Sequence, residues 1–211
     1  MQESLNEALS WRYATQQFDA EKKVSKEILE EILMAGNLMP TAYGLQPFQL
    51  VVIEDATLKE SLVAHAYGQR HVADNSHLIV LAARTDIDEK FITEYTDRIE
   101  STRGLLAGSV DGYKAMMVGD LTNRTPEGRL AWAKEQAYIV LGGMMAAASL
   151  LEVDNHAMAG FDAGAFNEVL GLSKDNMHAT VLLALGYRAE SDDWQHYKKV
   201  RRDLSDVVIY K

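Results

Sequence analysis

The chain has no cysteine and only three prolines among 211 residues. The first absence removes disulfide bridges, thiolate metal sites and a cysteine nucleophile. It accords with a reducing compartment, so a cytoplasmic location is expected. Cations are also scarce: 21 Lys and Arg stand against 31 Asp and Glu, a net charge of −10. Nucleic-acid binders draw affinity from Lys and Arg on phosphates, so this balance argues against such a partner. It leaves room for a small anion held by a few local cations. The longest apolar run, AYIVLGGMMAAASLL from Ala137 to Leu151, is shorter than the ~20 residues that span a bilayer, and no membrane partner is expected. The opening MQESLNEALSWRY lacks the basic-then-apolar order of a secretory signal. No G-x-G-x-x-G, G-x-x-x-x-G-K-[ST] or G-x-S-x-G occurs. The six histidines are scattered, with His65 and His71 six apart rather than at helical spacing, so no metal site is expected.

A hydrophobic content of 47% is enough for one sizeable core or one subunit of an intimate oligomer. Residues 3–12 read as an amphipathic helix with Leu5, Ala8 and Leu9 on one face. Ser25 reads as the N-cap of a helix to about Gly36, with Val24 and Leu29 spaced as a hydrophobic staple. FQLVVIE (48–54) and HLIVLAA (77–83) read as strands, with a helix over 57–66 between them. Helices are expected over 87–103 and 110–121. Thr125-Pro126-Glu127 starts a long helix to about Leu151, with Pro at its first position. NHAMAGF (155–161) reads as a short strand ending at Gly160, ATVLLALGY (179–187) as a buried strand, and DVVIY (206–210) as a late strand. Strands separated by helices indicate a mixed α/β (α+β) fold. One domain over 1–211 is the simplest division, with 88–130 as a variable helical insertion or lid.

Four stretches could carry chemistry. Arg12, in WRYATQQF, could clamp a phosphate through its fork of donors or compensate a helix C-terminus. HYKKVRR (196–202) concentrates cations in an acidic chain and reads either as an anion site or as a solvated loop. In MPTAYGLQPFQLVVIED, Pro40 and Pro47 restrict φ while Thr41 and Gln46 offer uncharged hydrogen bonds. Such a stiff loop suits a flat heteroaromatic ligand, or is a plain helix-to-strand turn. Gly160, after Ala157-Met158-Ala159, allows close backbone approach or a tight turn.

Together these stretches resemble the flavin-dependent nitroreductase family, over nearly the whole chain. The resemblance is closest to oxygen-insensitive NAD(P)H nitroreductases and dihydropteridine-reductase-like enzymes of bacteria. It is carried by WRYATQQFD, PTAYGLQPF, DNSHLIVL, AGFD and KVR, in that order. It implies a central, mostly antiparallel sheet flanked by helices, in an intertwined homodimer with C-terminal strand exchange. It implies bound FMN, NAD(P)H as electron donor, and ping-pong hydride transfer to a small-molecule acceptor such as a nitroaromatic or a quinone. Arg12, Lys199 and Arg201 would hold the phosphate. Tyr13, Ala14 and Gln16 would follow the flavin, and Gln69 and His71, beside Gly68, would meet its polar edge. Ala159 and Gly160 would face N5 through the backbone. Pro40, Thr41, Ala42 and Gln46 would come from the partner subunit, and Tyr43, Met116 and Met117 would line the acceptor pocket. No dedicated catalytic side chain is implied. Gln16 and His71 stand where relatives carry cations, which should make the flavin harder to reduce unless His71 is protonated. Same-fold flavin, enal or dehalogenating reductases, and a non-enzymatic flavin-binding protein, are the alternatives.

Overall fold

The structure, a computed structural model, describes residues 4–211. Glu3, the first residue of the expected N-terminal helix, lies outside them. Helix α1 spans Leu5–Trp11. Ser4 and Glu7 close its start reciprocally: the Ser4 hydroxyl accepts from the Glu7 N–H, and the Glu7 carboxylate accepts from the Ser4 N–H. Helix α2, Lys26–Asn37, begins at Ser25, whose hydroxyl accepts from the Ile28 N–H. Its apolar stripe buries Leu29 and Ile32. A Cβ at Gly36 would stand 2.8 Å from the Met144 side chain, so glycine there permits the close approach of α2 to the long central helix.

Strand β1 is Phe48–Ile53, helix α3 is Ala56–Val63 and strand β2 is His77–Arg84. Helices α4, Glu89–Arg103, and α5, Asp111–Leu121, follow as a pair. Helix α6, Pro126–Leu150, starts as the Thr125-Pro126 signal demands, with the Thr125 hydroxyl accepting from the Gly128 N–H. Strand β3 (Asp154–Met158), helix α7 (Ala163–Val169) and strand β4 (Met177–Gly186) complete the sheet and its cover.

The sheet has the order β1-β2-β4-β3, every pair antiparallel. Alternation decides which layer each strand residue feeds. Leu78, Val80 and Ala82 of β2 join Leu182 and Ala184 of β4 against α3, α7, Phe161 and Phe166. Ile79, Leu81, Val181, Leu183 and Leu185 face the opposite side, against α2 and α6. Both faces are covered, so the two central strands read as continuous apolar runs. Each large side chain so buried contributes ~1.5–3 kcal/mol before entropy is counted. A third cluster, with Leu45, Ile92, Met117, Leu121 and Trp132, joins α4, α5 and the start of α6 to the loop before β1.

Three expectations need correction. The 155–161 strand stops at Met158, and Ala159 and Gly160 leave the ladder as exposed backbone. Helix α7 was not foreseen, because its segment AGAFNEV has one large apolar residue and no stripe. Its start is nevertheless conventional, with the Asp162 carboxylate accepting from the Ala165 N–H. The 206–210 segment is not a strand in the single chain. Leu204–Val207 is one helical turn, and Val208 onward is extended and largely exposed. A strand needs a neighbour for its N–H and C=O groups, and no described segment of the same chain supplies one.

Candidate active site

The chain's two ends meet in one groove. Its volume is about 420 Å³, and its walls are Ser10 to Ala14 on one side and Trp194 to Arg201 on the other. The Lys199 ammonium donates to the Leu9 and Arg12 carbonyls, at the C-terminal end of α1 where unpaired carbonyls gather. The Arg12 guanidinium is half-buried, and its Nε–H is enclosed with no hydrogen-bond partner. Burial, then the nearby Arg201, lowers its pKa; Lys199 is lowered by burial, then by Arg12 and Arg201. Among the described residues, none of these three cations forms an ion pair with a carboxylate. Mutually repelling cations with an orphaned donor fit an absent anion better than they fit each other.

Residues beneath the groove hold it in shape. Ala14 bridges to Asn155 of β3, and Phe18 to Arg188 after β4, so the 11–18 segment lies along the β3 edge of the sheet. Asp192 is fully buried. Its carboxylate accepts from the Tyr13 hydroxyl at 2.8 Å, the Gln16 N–H at 2.9 Å and the Gln17 and Trp194 N–H groups at 3.2 Å. The Tyr13 phenol pKa is raised by burial and by this bond. Arg188 donates to buried Asp154 through its backbone N–H and its Nε, both at 2.8 Å. The same guanidinium lies over the Trp11 ring at 4.3 Å and the Tyr13 ring at 4.7 Å. Asp192, Asp154 and Arg188 were missed from sequence. Asp192 sits in the polar run ESDDW and looks like a solvated charge, and only the Asp-x-Trp turn hints otherwise.

A second group adjoins the first. The Gln16 side chain donates to the Ala14 carbonyl at 2.9 Å. Gln69 donates to the Ala66 carbonyl at 2.9 Å and the Gly160 carbonyl at 2.8 Å, tying the turn around Gly68 to the end of β3. The surface over Gly160 is open: a Cβ there would meet only Gln69, at 4.0 Å. His71 is buried and stacks on His156, with ring centroids 4.0 Å apart and an interplanar angle of 14°. His156 Nδ1 lies 2.8 Å from the Thr15 carbonyl. Burial, then His156, pushes the His71 pKa down to about 4. At that value the ring is neutral at pH 7.

The third group stands apart. The 40–47 loop feeds β1, at the opposite edge of the sheet from the 11–18 segment. Its polar groups turn toward α4–α6. The Ala42 N–H donates to buried Gln136 at 2.8 Å, and the Tyr43 hydroxyl donates to Asp120 at 3.0 Å. The Tyr113 hydroxyl donates to the Tyr43 carbonyl at 2.9 Å. The Gln46 N–H donates to the Thr41 hydroxyl at 3.0 Å, and the Gln46 side chain donates to Asn37. Tyr43, Gly44 and Gln46 all have positive φ, and Pro40 is exposed. Met116 is half-exposed, whereas Met117 is enclosed in the third apolar cluster and offers no open surface in the single chain. The fold thus brings Arg12, Tyr13, Ala14, Gln16, Lys199 and Arg201 together. It sets Gln69, His71, Ala159 and Gly160 beside them, and leaves Pro40 to Gln46, Met116 and Met117 elsewhere.

The arrangement has counterparts. A model of the nitroreductase family matches residues 9–187. The chain belongs to the nitroreductase family. A Staphylococcus haemolyticus protein provisionally named NAD(P)H nitroreductase is 32% identical over 216 residues, covering 99% of this chain and 97% of its own. A solved structure from Bacillus subtilis, provisionally a nitroreductase, has a TM-score of 0.87 at 21% identity over 98% of both chains. Another, from Exiguobacterium sibiricum, is provisionally a nitroreductase in complex with FMN. It has a TM-score of 0.84 at 22% identity, covering 100% of this chain and 99% of its own.

Proposed function

We propose that this nitroreductase-family chain is an FMN-dependent NAD(P)H oxidoreductase. It would reduce nitroaromatics, quinones or related acceptors in two half-reactions that share one site. The observation that carries the reading is the groove where Arg12, Lys199 and Arg201 converge from the chain ends with a buried Arg12 donor unpaired. A terminal phosphate is the anion that such a donor set fits, with Arg as fork and Lys as point charge. Tyr13, Ala14 and Gln16 would line the path from the phosphate inward. Gln69 and His71 would meet the polar edge of the ring, and the open backbone at Ala159 and Gly160 would lie against its reacting centre. Bound FMN supplies the hydride chemistry. The chain binds and orients it and sets the local charge.

The acceptor side needs a second subunit in this reading. The loop from Pro40 to Gln46, with Tyr43, Met116 and Met117, belongs to a wall that the partner presents. Its distance from the groove within one chain motivates that assignment. Exposed apolar side chains on α1, α2 and α6, among them Leu9, Met34 and Ile139, offer a dimer face. The 206–210 segment, whose last residues Ile209 and Tyr210 are exposed, would add to the partner's sheet. The 4–211 chain is then one nitroreductase-like domain, and the α4–α5 pair its variable lid. No helix among the described residues is long and apolar enough to cross a membrane.

The test is Arg12→Ala with Arg201→Ala. Losing two charge-assisted contacts should raise the FMN dissociation constant by about 100-fold or more. Fluorescence titration of the apoprotein reads it, and unchanged affinity would sink the phosphate assignment. Anaerobic NADH then separates enzyme from carrier, since a yellow protein that does not bleach is only a flavin binder. Initial rates on nitrofurazone, menadione and free FMN rank the acceptor classes.

A further inference from the structure

We infer that His71 and His156 form one proton-binding unit that charges when negative charge is added at the cofactor position, supplying the cation this chain otherwise lacks there. The inference rests on the FMN reading above. Its geometry is specific. The rings stack face to face at 4.0 Å, joining the turn that carries Gln69 to strand β3. The Thr15 carbonyl can only accept, so His156 Nδ1 carries the proton in that 2.8 Å bond, and Nε2 is left as the basic nitrogen. Thr15 lies between Ala14 and Gln16, and Gln69 bonds the Gly160 carbonyl. The pair therefore ties together the segments that frame the proposed ring site. His71 Nε2 is enclosed with no hydrogen-bond partner. A buried ring nitrogen left unpaired is costly, and structures retain few of them without a reason.

Charges of both signs surround the pair. His71 faces His156 and Asp74. His156 faces the Thr15 carbonyl, Arg12 and Asp192. Burial and Arg12 hold the rings neutral, while Asp74, Asp192 and the carbonyl favour charge. Two imidazoles at this spacing accept a second proton only against the charge of the first, so they titrate as a unit. Hydride transfer from NAD(P)H carries one proton and two electrons and leaves the site one charge more negative. The pair answers by binding one proton from solvent and releases it when the acceptor removes the hydride. A fixed lysine would hold a cation in both redox states, whereas here the positive charge follows the electrons.

The test reads the rings themselves. Nitrogen-15 imidazole spectra of the wild-type protein are recorded in the apo, oxidised FMN-loaded and anaerobically reduced states near pH 7. The expected result is neutral shifts for both rings in the first two states and an imidazolium signature within the pair in the third. Reduction in weak buffer with an indicator dye should consume about one proton per NADH, an uptake that H71Q loses. Both rings remaining neutral after reduction would overturn the inference. A wild-type protein that binds and reduces FMN but shows that result fails this inference alone. One that cannot bind FMN fails the reading above and this one together.

Discussion

The chain-end groove and the 40–47 loop handle polar groups in opposite ways. The groove gathers Arg12, Lys199 and Arg201 without a carboxylate partner among the described residues and leaves the Arg12 Nε–H unpaired. The loop is uncharged and strained at Tyr43 and Gln46, yet its hydrogen bonds close within the chain, on Gln136, Asp120, Thr41 and Asn37. Unspent charge suits a charged ligand. A stiff neutral surface that is already satisfied has only shape and apolar area left to give. In the proposed reading the one region binds and the other is presented. Each can be broken separately.

The largest effect is expected beneath the groove. Asp192→Ala removes a buried acceptor shared by four donors, leaving the Tyr13 hydroxyl and three backbone N–H groups unpaired. About 3–5 kcal/mol of stability should be lost, with FMN affinity falling alongside. Urea unfolding of the apoprotein and flavin titration measure the two. A loss below about 1 kcal/mol would mean that water replaces the carboxylate and that the 11–17 segment is held by other contacts.

Acid should weaken the groove side next. The folded protein holds the His71 pKa at about 4, below the ordinary value of 6.5. Between these values the unfolded chain binds the proton and the folded chain does not. The stability that neutral burial preserves is therefore present above pH 6.5 and is lost as pH falls toward 4. For this ring alone the loss approaches about 3 kcal/mol. His156 and His178 are also held low, chiefly by burial, and add to the slope. Urea midpoints at pH 7, 6 and 5 should fall in that order, and His71→Gln should flatten the fall. Equal slopes in the two proteins would contradict the placement of His71.

How much of this contrast was legible in the sequence depends on how local each signal is. Ser25, Thr125-Pro126 and the alternation in β2 and β4 act over a few residues, and the structure follows them. The Asp192 hub is silent because three of its four partners lie 175 to 179 residues away. Arg12 was ambiguous for the same reason. It reads as a helix-end cation until Lys199 arrives from 187 residues further on. The 206–210 segment shows the opposite failure. Its composition favours a strand, but a strand is a relation between two segments, and no described segment of this chain supplies the other.

On the loop side, Gly44→Ala should cost about 2 kcal/mol. Gly44 has φ +78°, and a Cβ there would stand 2.3 Å from the Tyr95 hydroxyl. Tyr95 can swing aside, so the backbone strain is the larger part of the cost. Thermal unfolding reads the change, and FMN affinity should fall with it if the partner's loop stands at the groove as proposed. Flavin affinity left untouched would instead keep the two regions as separate as they are within one chain.

The smallest effect sharpens the comparison most. Tyr43→Phe removes one hydrogen bond, to Asp120, and keeps the ring against Tyr113 and Trp132. Asp120 is not orphaned, because Arg124 still donates to both of its oxygens at 3.0 Å. The cost should be about 1 kcal/mol or less. The phenol is only partly buried, and Asp120, the first cause of its raised pKa, is the contact being removed. If the loss is this small while turnover of a bulky acceptor changes several-fold, the hydroxyl serves the pocket rather than the fold. If stability falls by 3 kcal/mol instead, Tyr43 is the latch between the loop and α5, and the two move as one body.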